Sequence, residues 1–227
     1  MENKNRKILF ITDSLGLPRA QPELVPDDAT WTYVVSKRLK EHFDFFYYTV
    51  AGLHTGMLVQ SLKFQAGAFR PDLIVLQIGI VDCAPRALKE NERKVIQRLP
   101  GFISKVLLGF VRRNYHYLIR KRKISYVSLF QFENNLIELR NFFKRSQFLV
   151  VPIAPANTAY IESNPLISNN IKEYNKVLTK VFGEENILNV WEGEDPELLF
   201  LSDNHHLSVS GNAVLGQGVN EFINTNY

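Results

Sequence analysis

The sequence predicts an α/β domain in which a parallel β-sheet is covered by helices on both faces. Three observations predict it. Short apolar runs without polar alternation recur along the chain: KILFIT at 7–12, DLIVLQI at 72–78 and QFLVVPI at 147–153. Strands of that kind are buried on both faces. Helical stretches separate the runs, the order of a layered α/β protein. With 45% hydrophobic and 22% charged residues, the 227-residue chain can also bury the core that such a sheet needs, which excludes a disordered or low-complexity protein.

The elements follow in order. Residues 7–12 form the first strand and end in the turn-like Asp13-Ser14-Leu15-Gly16. Asp27 and Asp28 can cap a helix that runs to about residue 42, with Trp31, Val34, Val35 and Leu39 inward. Residues 45–50 (FFYYTV) form a second strand, broken by Ala51-Gly52, and 55–64 a helix. Residues 72–78 form the third strand, 147–153 the fourth and 187–190 a weaker fifth. Residues 169–182 and 208–223 read as amphipathic helices, the second capped by Ser208. Helices inserted after the third strand, at about 87–146, interrupt the alternation, with 133–143 amphipathic among them. Neither an internal repeat nor a flexible linker divides the chain. One domain over 1–227 is expected, with a helical insertion.

Several classes are excluded. The single cysteine, Cys83, rules out an intramolecular disulfide framework and a cysteine-built zinc site. The N-terminal stretch offers only four apolar residues before Thr12 and Asp13, whereas a secretory signal needs about 7–15. No uninterrupted apolar run reaches the length of a spanning helix, about 18 residues. A cytoplasmic protein is expected.

Charge is placed unevenly. Residues 87–146 hold 14 Lys and Arg against 4 Glu, while the other 167 residues carry 13 basic against 19 acidic. The densest part, 112–123, reads RRNYHYLIRKRK. Such a cluster can meet phosphate, nucleic acid or an anionic membrane surface; the plainer alternative is a solvated helix face. No nucleic-acid-binding motif accompanies it, so nucleic acid is set aside. A glycan precursor at the inner membrane surface, with the protein peripheral to it, remains open. Nothing in the sequence sets an oligomeric state.

In open α/β sheets, sites form beyond the carboxyl ends of the strands. Three turns fall there: Asp13-Ser14, Gly52, and Gly79-Ile80-Val81-Asp82. A fourth cluster, Ser202-Asp203-Asn204-His205-His206-Leu207, precedes the last helix. Together they offer a serine nucleophile, a histidine base, a carboxylate and backbone donors, the roles that nucleophilic acyl transfer requires. A metal bound by Asp203, His205 and His206 is set aside, because no separate ligand set joins that cluster. Cys83 reads as a small buried hydrophobe.

These blocks resemble the SGNH hydrolase superfamily, the GDSL-type lipases and esterases. The first block, usually Gly-Asp-Ser-Leu, appears as Thr12-Asp13-Ser14-Leu15, and the second-block glycine matches Gly52. The last block, Asp-x-x-His before a helix, matches Asp203-Asn204-His205-His206. Asn170-x-x-x-Tyr174-Asn175 is similar to the helix that precedes the last strand in many members. The resemblance spans 7–86 and 147–223. The string QIGIVDCAPR is similar to small members from bacterial surface-polysaccharide biosynthesis clusters.

The resemblance implies a three-layer, flavodoxin-like fold with a five-stranded parallel sheet. It also implies Ser14, His206 and Asp203 as catalytic residues and the N–H groups of Ser14 and Gly52 as an oxyanion hole, with no metal or other cofactor. Asp13, His54, Asp82, Arg86 and His205 become substrate contacts or braces of the site. The substrate class implied is an acylated carbohydrate or another small ester, hydrolysed by an esterase resembling a deacetylase. Two alternatives stand beside it: an O-acyltransferase acting on a surface-polysaccharide precursor, and a catalytically weak fold that binds an anionic glycan or a partner protein. The second draws on Val81, which stands where the family has an oxyanion-donating asparagine. Losing one such donor typically costs about 10²–10³ in rate; His54, protonated Asp82 or Arg86 are the candidate replacements.

Overall fold

The computed structural model describes residues 5–227. Residues 1–4, part of the stretch read above for a secretory signal, lie outside the described residues. Strands β1 (Arg6–Thr12), β2 (Phe43–Thr49) and β3 (Leu73–Gln77) alternate with helices α1 (Trp31–Leu39) and α2 (Thr55–Leu62). After β3 come α3 (Ile80–Cys83), the two-residue β4 (Pro85–Arg86), α4 (Glu90–Arg98), α5 (Gly101–Arg113), α6 (Tyr115–Arg122) and the equally short β5 (Ile124–Ser125). The chain continues through α7 (Leu129–Phe142), β6 (Gln147–Val151), α8 (Thr158–Ser163), α9 (Ile167–Phe182), α10 (Pro196–Leu199) and α11 (Val209–Asn226).

The main sheet is parallel, in the order β2-β1-β3-β6. Period-two alternation explains why its strands read as unbroken apolar runs, since each strand feeds two cores. Leu9, Ile11, Ile74, Leu76 and Val150 face α2, α7 and α9, where Leu58, Phe132, Leu136 and Leu178 are buried against them. Ile8, Phe10, Val75 and Leu149 face α1 and α11, where Trp31, Val35, Leu215 and Val219 close the other layer. Trp31 is fully buried and meets Phe10 edge-on, with ring centroids 5.2 Å apart. Each such side chain contributes about 1.5–3 kcal/mol of transfer free energy.

Two expectations are corrected. Among the described residues the sheet has four strands rather than five, because 187–190 makes there only an isolated bridge from Ile187 to Val150. The Leu188 N–H reaches the Val150 carbonyl at 2.9 Å, but the Val190 N–H then bonds back to the Leu188 carbonyl at 3.0 Å. That tight turn takes the chain off the ladder. Nor do Asp27 and Asp28 cap α1. They lie in a 3₁₀ turn, and the cap is Thr30, whose hydroxyl accepts from the Tyr33 N–H.

Residues 87–146 divide into two parts. Helix α7 is integral to one core layer through Phe132, Leu136 and Leu139. Before it, the chain leaves and returns through the antiparallel pair β4–β5. Arg122 ties this excursion together, bonding Glu92 through two nitrogens at 2.5 and 2.8 Å and the Ala87 carbonyl at 2.7 Å. The guanidinium and the Lys89 N–H hold the Glu92 carboxyl down at about 2. Among the described residues, no helix is long and apolar enough to cross a membrane.

Candidate active site

Strand register brings the site together. Thr49, Thr12, Gln77 and Val151, the last residues of four neighbouring strands, pair with one another across the sheet. The turns that follow therefore start at one level, at the carboxyl edge where α/β sites form. Ser14 opens the 3₁₀ turn after β1, which Asp13 caps by accepting from the Leu15 N–H at 2.9 Å. The second turn contains Gly52 at φ +71°, where open space surrounds the missing Cβ. The third contains Gly79 at φ +118°, where a Cβ would stand 2.8 Å from Ile153 Cδ1. A side chain there would be strained by that φ and would have to push the Ile153 side chain aside.

The fourth element is the loop between α10 and α11. An antiparallel bridge between Phe200 and Leu207 closes it, and Asn204 turns it through the left-handed region at φ +66°. Asn157 donates to the Asn204 side chain at 2.9 Å. Ser208 then starts α11, accepting from the Gly211 N–H at 3.0 Å. This tight turn folds Asp203 back on His206. The carboxylate oxygens meet the His206 N–H at 3.0 Å and its Nδ1 at 2.7 Å.

On the other side of the ring, Nε2 lies 3.1 Å from Ser14 Oγ. A guanidinium nitrogen of Arg19 also contacts Nε2. Because arginine only donates, Nε2 carries the lone pair and Nδ1 the proton that Asp203 accepts. Burial lowers the His206 pKa below its ordinary value; the Asp203 hydrogen bond opposes this, and the charges of His205 and Arg19 reinforce it. Burial raises Asp203, but the N–H groups of His206 and His205 and the His206 ring outweigh it, holding the carboxyl low. A hydroxyl, a neutral imidazole and an ionised carboxylate thus stand in series, an arrangement able to take a proton from Ser14.

The other expected site residues divide between the rim and the foundation. His205 is exposed, packs tilted against the His206 ring with centroids 4.3 Å apart, and bonds the Asp203 carbonyl through Nδ1 at 2.7 Å. His54 caps α2 and packs against Tyr126 at 4.9 Å. Arg86 lies over the same tyrosine, 5.0 Å from the Tyr126 ring centroid. Asp82 is fully buried and accepts from the Thr55 N–H at 2.9 Å and its hydroxyl at 2.5 Å, tying the third turn to the start of α2. Burial lifts Asp82 to about 6 against those bonds, and Asp13 to about 7. Burial also raises the Cys83 thiol, which stays protonated. Val81 is half-buried on α3 and brings no polar atom.

Asn170 donates to the Cys83 carbonyl at 2.7 Å, and Asn175 clamps both backbone groups of Ile153 at 2.8 and 3.0 Å. Tyr174 donates to the Val127 carbonyl. The motif on α9 therefore braces the loops below the site. Arg19 was not among the residues expected from sequence: it lies in a loop closed by its bridge to Val25 and tied to Ser202 through Glu23, and no motif surrounds it. Beside the site a narrow apolar cavity of about 20 Å³ is lined by Leu15, Ile80, Ile153, Tyr160, Trp191 and His205. Possible metal ligands on Asp203, His205 and His206 lie within 4.8 Å of one another. Asp203 already serves both histidines, and the Arg19 guanidinium at Nε2 opposes a cation there.

No protein-family model matches the chain, and no curated protein matches it by sequence. Solved structures do match over nearly its whole length. A lipase/acylhydrolase from Enterococcus faecalis is 16% identical with a TM-score of 0.67, covering 97% of this chain and 96% of its own. Axe2, an acetylxylan esterase from Geobacillus stearothermophilus, is 20% identical with a TM-score of 0.63, covering 98% and 96%. TesA is 14% identical with a TM-score of 0.59, covering 94% and 96%. The layered sheet and helices of this chain are those of the SGNH hydrolase fold.

Proposed function

We propose that the protein is a serine ester hydrolase that removes a short acyl group from an acylated glycan or glycan precursor. The observation that carries this reading is the Ser14–His206–Asp203 series, at 3.1 Å and 2.7 Å. His206 Nε2 takes the Ser14 proton as Oγ attacks the ester carbonyl, and Asp203 stabilises the imidazolium. The N–H groups of Ser14 and Gly52 receive the oxyanion. Arg19 adds positive charge beside the Ser14 hydroxyl in place of a donor at Val81, and leaves Nε2 as the proton arrives, because two cations repel. Collapse expels the sugar hydroxyl, which takes the proton from His206. Water, activated by the same base, then frees Ser14.

Two features support a short acyl group on a sugar. The cavity of about 20 Å³ has room for little more than one water-sized group, such as an acetyl methyl. Axe2, which shares the fold, is an acetylxylan esterase, and one matched Axe2 chain is a catalytic mutant with a serine replaced by alanine. Turnover of para-nitrophenyl acetate and acetate release from acetylated oligosaccharides test the reading. Wild type should hydrolyse both and a folded Ser14→Ala neither; wild-type-like turnover by Ser14→Ala would overturn it.

A further inference from the structure

Helix α5 buries none of its thirteen residues. Phe102, Val106 and Phe110 recur every four positions and are 72%, 69% and 61% exposed. Four-residue spacing puts them in one row, about 12 Å long at the helical rise. Isolated exposed apolar residues are ordinary, but a row of large ones on one helix marks an interaction face. Lys105, Arg112 and Arg113 flank the row on the same helix, and all three are exposed. Over 93–132 the sequence holds ten Lys and Arg and no acidic residue, and Arg122 pairs with Glu92.

We infer that this face docks on an anionic lipid surface, Phe102, Val106 and Phe110 entering the interface while the flanking cations meet lipid headgroups. Interfacial helices combine these two features, an apolar stripe and a basic border. The charge pattern selects this occupant over two others. A second copy of the chain would bring two acid-free basic faces together, and like charges across an interface repel. A nucleic acid would satisfy the cations but gains nothing from an exposed Val106 between two phenylalanines. The face belongs to the excursion that leaves the body at Arg86, just after the third turn of the site. It needs no catalytic residue, so its test is independent of esterase activity.

The test is co-sedimentation of the full chain with phosphatidylcholine vesicles, with or without one third phosphatidylglycerol. Wild type should bind the anionic vesicles, release with salt and leave the neutral vesicles alone. The combined variant Lys105→Gln, Arg112→Gln, Arg113→Gln should bind about a hundredfold more weakly. The combined variant Phe102→Ser, Val106→Ser, Phe110→Ser should lose at least about tenfold. Circular dichroism and melting temperature should match wild type in both, because every altered side chain is exposed. Equal binding to both vesicle types, no binding, or either variant binding like wild type would overturn the inference. So would a dimer that the serine variant dissociates without any vesicle binding, or preference for a polynucleotide over the anionic vesicles.

Discussion

Asp13→Asn should change how stability depends on pH. Asp13 is wholly buried, with one carboxylate oxygen on the Leu15 N–H at 2.9 Å and the other without a hydrogen-bond partner among the described residues. Burial raises its pKa from 3.8 to about 7, opposed by the Leu15 N–H and the Gln77 amide and reinforced by Asp82. The folded state thus holds this proton more tightly than the unfolded chain does. Its contribution to stability is complete below pH 3.8 and is lost as pH rises to about 7. At 1.36 kcal/mol per unit this amounts to about 4 kcal/mol, of which about 3 kcal/mol falls between pH 5 and pH 8. Asparagine keeps an acceptor for Leu15 and does not titrate. Urea unfolding of both proteins at the two pH values measures the effect. Relative to wild type, Asp13→Asn should gain about 3 kcal/mol from pH 5 to pH 8. A difference that stays constant across that range refutes the reasoning.

Three further outcomes are expected. His206→Ala should lower kcat by about 10²–10⁴, whereas His205→Ala should keep most turnover; the reverse order in a kinetic comparison would shift the base by one residue. Because His206 lies below 6.5 in part through Arg19, the acid limb of kcat/KM should fall below pH 6.5 in wild type. It should move to higher pH in Arg19→Met; an unmoved limb would deny the contact in solution. Acetyl esters should exceed hexanoyl esters in kcat/KM by about tenfold or more, and equal rates would mean that the narrow cavity does not receive the acyl group.

The parts of this protein that are legible in its sequence are those set by local pattern. Ile8 to Ile11 and Leu73 to Leu76 read as buried strands because both faces of each strand meet a core. Ser14, Asp203 and His206 stood out by spacing, and the last two meet because a three-residue turn closes on itself at Asn204. What stayed hidden depends on distant contacts. Arg19 meets His206 across 187 positions, and no local signal marks it. Ile187 begins like a strand, yet the turn after Leu188 decides otherwise. The periodicity of 133–143 showed an amphipathic helix, but only packing on α2 and α9 makes it part of the body.

Labelling by a fluorinated alkyl phosphonate, read by intact mass and peptide mapping, tests the Ser14 nucleophile. Such a reagent phosphonylates a serine only where a neighbouring base removes its proton and donors receive the oxyanion. The Ser14–His206–Asp203 account predicts one adduct per chain, located on Ser14, absent from Ser14→Ala and strongly slowed in His206→Ala. An adduct on another residue, or none under conditions that label a control serine esterase, would contradict it.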